Sequence, residues 1–234
     1  MNVRTPMRAV TSIGEMASSS AGPAWKPIYT ALEVLLAYAG ILLYIWRWQF
    51  THPRVWMALW GVILLSHILH RDTPRTLGLL GTELRSSAQL VLPLALAVYS
   101  PLVIYGFACR ALALVRPGTH ALMMLASYAF WCLFQQYLTQ SYFHNRLMSV
   151  LHNRHVSSVL VGLMFGSAHI PNPLLMVATT LGGFIFAEIF ARHRNIWPLA
   201  LAQAVGGFLL AAITPDSFLH HMRVGPGYFF YGIR

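Results

Sequence analysis

The chain has 234 residues, 57% of them apolar and only 9% charged. A soluble domain carries roughly 25% charged residues, so this chain lacks the solvated surface such a domain needs. Its long apolar stretches instead predict an all-α, polytopic membrane helical bundle. The net charge of +10 comes from arginines standing singly between apolar segments, with no basic run. That pattern suits anchoring among membrane lipids and excludes a nucleic-acid footprint.

Residues 1–26 have no apolar core and contain Ser18-Ser19-Ser20-Ala21-Gly22-Pro23, so they read as a tail rather than a secretory signal. A single transmembrane domain of about seven spans, within a range of six to eight, is expected over residues 27–214. The first span covers Pro27 to Trp46 and is apolar except for Glu33; Trp46 and Arg47 close it as interface anchors. A second covers Val55 to Leu69. The Gly-containing segment Thr76 to Gly81 is too short to cross and reads as interfacial. The third covers Ser86 to Cys109, with Pro93 and Pro101 as expected kinks.

The fourth span runs from Thr119 to about Leu147, the fifth from Val156 to Ile170, the sixth from Leu174 to Ala191 and the seventh from Ile196 to Ile213. Residues 215–234 read as a C-terminal tail, whose stretch Met222 to Tyr228 is too rich in Gly and Pro to be helix. Of the 16 Lys and Arg residues, the larger share falls on the side of the N-terminal tail. The positive-inside rule then puts the N-terminus in the cytoplasm, across a bacterial-type inner or plasma membrane.

Small residues predict which helices touch. Gly162 and Gly166 form a GxxxG pair, Gly182-Gly183 interrupt the sixth span, and Ala202 with Gly206-Gly207 lines the seventh. In lipid, such residues let backbones approach closely, so spans four to seven are expected to form the compact core. Cys109 and Cys132 sit in apolar surroundings and read as packed small hydrophobes, with neither a disulfide nor a thiolate metal site indicated. The histidines show no metal-ligand spacing, and no cofactor is expected.

The fourth span turns polar along one side. At 3.6 residues per turn, Gln136, Gln140 and His144 fall on a single face. Lipid cannot satisfy these side chains, so that face must meet protein or water. Gln135, His169 and Gln203 are the other polar intrusions in spans four, five and seven. Glu188 is the one carboxylate inside the sixth span. It reads either as a functional carboxylate or as the partner of Arg192 at i+4.

On these residues the chain resembles the CAAX prenyl protease and bacteriocin-processing (CPBP, or Abi) intramembrane proteases. That family carries Glu-Glu-x-x-x-Arg, then Phe-x-x-x-His, then His-x-x-x-Asn on successive helices. Phe165-Gly166-Ser167-Ala168-His169 matches the second motif, and Asn195 to Ala200 is similar to the approach to the third. The resemblance covers about residues 119–213 and implies an intramembrane endopeptidase framework. The departures fall on its catalytic positions. Gln135 and Gln136 stand for the paired glutamates, Gln140 for the arginine, Gln203 for the histidine and Gly207 for the asparagine.

An amide has no proton-accepting site near neutral pH, so the glutamines cannot replace a carboxylate general base. The substitutions read as one coordinated neutralisation that discards charge and keeps hydrogen bonding. Three readings follow. The protein is a binding or scaffold member without peptidase activity; or it is an active intramembrane endopeptidase using His169 with Glu188 or another carboxylate; or it is an accessory subunit of a larger membrane complex. Membrane lipids and a membrane protein or peptide are the expected partners.

Overall fold

The computed structural model describes residues 26–111 and 118–230; the expected N-terminal tail lies outside the described residues. No strand occurs among them, and the architecture is a helical bundle. Helix α1 (Lys26–Leu43) runs on through a π-helical turn, Tyr44–Trp48, to Thr51. Helices α2 (Val55–Leu69) and α3 (Leu84–Ala108) follow. A long rod then forms from α4 (Thr119–Gln136), a π-helix (Tyr137–His144) and α5 (Asn145–Leu151). Helices α6 (Arg154–Ser167), α7 (Pro173–Arg192) and α8 (Trp197–Ile213) complete the bundle. Pro27–Thr51, Leu84–Ala108 and Pro173–Arg192 are long and apolar enough to cross a membrane; α2 and α8 are shorter and also apolar.

Helix ends follow local chemistry. Asn153 caps α6 by accepting from the amides of His155 and Val156, and Asn172 caps α7 by accepting from that of Leu175. Between them Pro171 and Pro173 forbid continuous helix, so α6 and α7 form a hairpin. This hairpin is the closest packed pair of helices. A Cβ on Gly162 would sit 2.7 Å from the Thr180 carbonyl oxygen and 3.0 Å from the Phe184 amide nitrogen. Both are backbone atoms that cannot yield, so only glycine permits this approach. The expected contact through Gly162 and Gly166 is therefore present.

Three expectations require correction. The rod is not a regular helix through its polar stretch: the π-helix adds a residue to the turn between Gln136 and Asn145. After α9 (Asp216–Leu219) and a 3₁₀ turn (His220–Met222), the stretch Met222 to Tyr228 is not free of helix, since α10 (Pro226–Phe229) forms there. Cys132 is buried as expected, whereas Cys109 is exposed. The segment after α2 is loop rather than helix. It is nonetheless pinned to the bundle: the Leu77 carbonyl accepts from Ser141 Oγ at 2.6 Å, and the Gly78 carbonyl accepts from the Ile196 amide at 3.1 Å.

At this end of the bundle the polar side chains of α1, α2 and the rod converge on Arg146, whose side chain is 3% exposed. Its Nη2 donates to Asp72 Oδ2 at 2.7 Å and to Ser66 Oγ at 2.8 Å, and its Nε donates to Glu33 Oε1 at 3.3 Å. Glu33 also accepts from Tyr142 Oη at 2.9 Å and from Ser66 Oγ, and its other oxygen meets His70 Nε2 at 2.9 Å. His67 Nδ1 lies 2.7 Å from Asp72 Oδ2. Burial opposes ionisation of Asp72, but the hydrogen bonds from Arg146 and His67 outweigh it and hold its carboxyl below the ordinary value.

Two predictions follow from this packing. Gly162→Ala overpacks a backbone contact and costs about 1–3 kcal/mol, whereas Gly182→Ala, whose Cβ meets nothing within 4 Å, is neutral or slightly stabilising. Thermal unfolding of the two variants in detergent separates them. Arg146→Leu leaves two partly buried carboxylates, Glu33 and Asp72, without their guanidinium and costs up to about 3–5 kcal/mol. With its folded-state pKa depressed, Asp72 contributes stability above the ordinary carboxylate pKa, and that contribution is lost as pH falls through the depressed value. The melting temperature of the native protein therefore drops on acidification through that window, and the drop is smaller in Arg146→Leu.

Candidate functional site

The amide cluster forms where the rod crosses α8. Gln140 Nε2 donates to Gln136 Oε1 at 3.3 Å, Gln136 Nε2 to Gln203 Oε1 at 2.6 Å, and Gln203 Nε2 to Gln135 Oε1 at 2.5 Å. Four carboxamides thus join head to tail in one direction, an arrangement in which each bond polarises the next. Gln136 and Gln140 are fully buried. Gln135, at the end of the chain of amides, lines a cavity of about 630 Å³ between α1, α2, the rod and α6. Its carbonyl is occupied by Gln203, so its amide N–H groups are what it can offer there.

His169 lies in the turn that follows α6 and lines the same cavity. Its Nδ1 sits 2.7 Å from the Phe165 carbonyl oxygen, so Nδ1 carries the proton and donates. Nε2 is then left as an acceptor. Thr179 Oγ1 lies 3.3 Å from Nδ1 and the Phe165 ring packs against the imidazole at 80°, which fixes its plane. Most of the remaining wall is apolar and aromatic, including Trp56, Trp60, Trp131 and Phe134. The cavity therefore presents one polar end, with an amide donor and an imidazole acceptor, and a long aromatic body.

Gln136, Gln140 and Gln203 do not line this cavity; they stand behind Gln135 and hold it. His144, expected on the same face, is fully buried and meets Ser158 Oγ at 3.4 Å instead of the amide chain. The π-helix explains the divergence, because its wider turn breaks the 3.6-residue register that would stack positions 136, 140 and 144. Gln140 Oε1 and His144 Nδ1 are buried without a partner among the described residues. Gly207, at the motif position where the resemblance expects asparagine, faces Tyr128: a Cβ there would lie 1.9 Å from the phenol oxygen. The tyrosine fills that space.

Glu188 stands elsewhere. Its carboxylate meets His155 Nδ1 at 3.0 Å, with Arg154 Nε and Arg192 Nη2 each at 3.9 Å. His155 opens α6 and His169 follows its end, so the helix alone separates them by about 18 Å at 1.5 Å per residue. Glu188 and His169 are thus not brought together, and the expected pair with Arg192 is present but longer than the contact with His155. All five carboxylates among the described residues have partners away from the amides: Glu33 and Asp72 on Arg146, Glu83 on His193, Glu188 on His155 and Asp216 on His221. No group of three or more His, Cys, Asp or Glu that could hold a metal ion is found among the described residues.

The sequence did not single out Thr139 and Tyr38, yet both line the cavity. Thr139 Oγ1 donates to the Gln135 carbonyl at 2.8 Å, and Tyr38 Oη donates to that of Met164 at 2.8 Å. Thr139 lies four residues after Gln135, a spacing that signals such back-bonding; for Tyr38, in an otherwise apolar span, no local signal exists.

Residues 117–209 match the family model described as Type II CAAX prenyl endopeptidase Rce1-like. No curated protein and no solved structure matches the chain. The matched stretch holds the rod, the α6–α7 hairpin and most of α8, and with them every glutamine of the cluster and His169. Over residues 117–209, then, this membrane helical protein is similar to the Rce1-like CAAX-protease family that its motifs resemble.

Proposed function

We propose that the protein keeps the framework of an intramembrane endopeptidase but binds its ligand without hydrolysing it. The observation that carries this reading is the unbroken amide chain Gln140–Gln136–Gln203–Gln135 at the positions where the family has ionisable groups. Hydrolysis of a peptide needs a group that takes a proton from water and returns it to the leaving amine. Carboxamides do neither. His169 keeps one unprotonated nitrogen, but the carboxylates among the described residues are held by partners elsewhere, so none orients water against it. What remains is recognition. The Gln135 amide donates, the His169 imidazole accepts, and the aromatic walls take an apolar chain from lipid.

The alternative, a peptidase built on His169 and Glu188, meets the separation along α6 described above. It is tested together with the first reading. Purified protein in nanodiscs is incubated with membrane and lipidated peptide libraries, and products are read by mass spectrometry. No cleavage above background, together with peptide or lipid retained on the protein, is the expected result; cleavage that disappears in His169→Ala overturns it.

Gln203→Leu removes two links of the amide chain and leaves the Gln136 donor and the Gln135 acceptor unmatched. Each such loss costs about 1–3 kcal/mol in a buried setting. The variant is expected to melt lower and to retain less ligand, whereas Gln203→Asn, with a shorter amide, restores part of both. Equal ligand retention by wild type and Gln203→Leu would count against a role for the amides in binding.

A further inference from the structure

The aromatic cavity does not end at the π-turn of α1. Gln49 and Val224 line it, and the same two residues line a second cavity of about 720 Å³ beside the C-terminal segment. The two are consecutive compartments sharing a wall. Their chemistry differs. No Asp, Glu, Lys or Arg lines the inner compartment, whereas Arg223 lines the outer one, with Phe50, Met222 and Phe230 around it. Arg223 is exposed and forms no ion pair among the described residues.

The backbone presenting Arg223 is built, not loose. Asn172, fully buried at the start of α7, donates from Nδ2 to the Leu219 carbonyl at 2.8 Å and to that of Arg223 at 3.4 Å. The Gly225 amide donates to the Ile170 carbonyl at 2.8 Å. Gly225 itself turns with φ +57° against α1, where a Cβ would come within 3.0 Å of Ile45 Cγ2. Residues 219–225 are therefore fastened to the turn that immediately follows His169. This fixes one cation at the mouth of an uncharged, aromatic compartment.

We propose that the two compartments together hold one amphipathic ligand, its hydrocarbon chain in the inner compartment and an anionic head, phosphate or carboxylate, on Arg223 in the outer one. A guanidinium matches such a head through paired N–H donors, and Gln49 adds a polar wall. The chain leaves water or lipid for an aromatic sleeve that has no charge to repel it. The head group is the new element; the occupancy of the inner compartment rests on the binding reading above.

The test uses the full chain in phosphatidylcholine nanodiscs and the fluorescence of Trp56, Trp60 and Trp131, which line the inner compartment. Three brominated quenchers are titrated: dibromostearyl phosphate, dibromostearyl alcohol and a dibrominated phosphatidylglycerol. A variant with all three tryptophans changed to Phe supplies the background from the other tryptophans. The phosphate is expected to quench at about tenfold lower concentration than the alcohol. That gap is expected to collapse in Arg223→Gln and to persist in Arg223→Lys. Thermal unfolding checks that the variants keep the native fold, as an exposed position predicts.

If phosphatidylglycerol quenches as well as the single-chain phosphate, the ligand class is a bilayer phospholipid; if only the single-chain phosphate does, it is a free amphiphile. Equal quenching by phosphate and alcohol, or a gap that survives in Arg223→Gln, overturns the head-group site while leaving the binding reading intact. Quenching by neither compound above the triple-Phe background overturns both.

Discussion

The fold depends on where Arg146 is placed. A guanidinium with 3% of its side chain exposed is tolerable only when its donors are satisfied and its charge is met. Here Asp72 and Glu33 supply the charge, and Ser66 takes a further donor. These partners come from α1, from α2 and from the loop after it, whereas Arg146 belongs to the rod. One side chain thus ties the helices preceding the Rce1-like stretch to that stretch itself. It also sets the depth at which α1 and α2 stand against the rod, since sliding either helix by a turn would break the ion pairs before it broke much apolar packing.

Polar chemistry in the bundle is graded by position. Charges collect at the end where Arg146, Glu188 and Arg194 lie, among loops and helix termini. Toward the crossing of the rod and α8, the polar groups are neutral amides that hydrogen-bond one another. This follows the cost of placing charge in a low-dielectric medium, which rises steeply away from the interface, whereas an amide there needs only a partner. An ion pair like that of Arg146 and Asp72, moved to the position of Gln136 and Gln140, would need a comparable shell of donors and acceptors. The four glutamines partner one another and leave only Gln140 Oε1 buried without a partner among the described residues.

Much of this was legible in the sequence, and what was missed shares one cause. The apolar runs marked the helices, Gly162 and Gly166 marked the α6–α7 contact, and the glutamines with His169 marked a polar locus. Each of these signals is local. The π-helix was not legible because nothing in Tyr137–His144 breaks a helix; there is no Pro or Gly in it. Its wide turn belongs with distant contacts, Ser141 on the Leu77 carbonyl and Tyr142 on Glu33. Glu33 looked like an isolated acid in a membrane span because its cation lies 113 residues away. Glu188 shows the same limit from the other side: Arg192 was visible at i+4, but the closer partner, His155, is on another helix.

The π-helix also changes what kind of sequence change this protein tolerates. Its surplus residue offsets everything C-terminal to it by about 100° around the rod axis, relative to a regular helix at 3.6 residues per turn. Arg146 reaches Glu33 and Asp72 only with that offset in place. Relaxing the rod into a uniform helix at unchanged length would swing Arg146 by that angle away from both acids, whereas loss of a single residue from 137–144 would absorb the offset and leave Arg146 facing them. The wide turn and the residue count are therefore matched to each other: either can change only if the other changes with it.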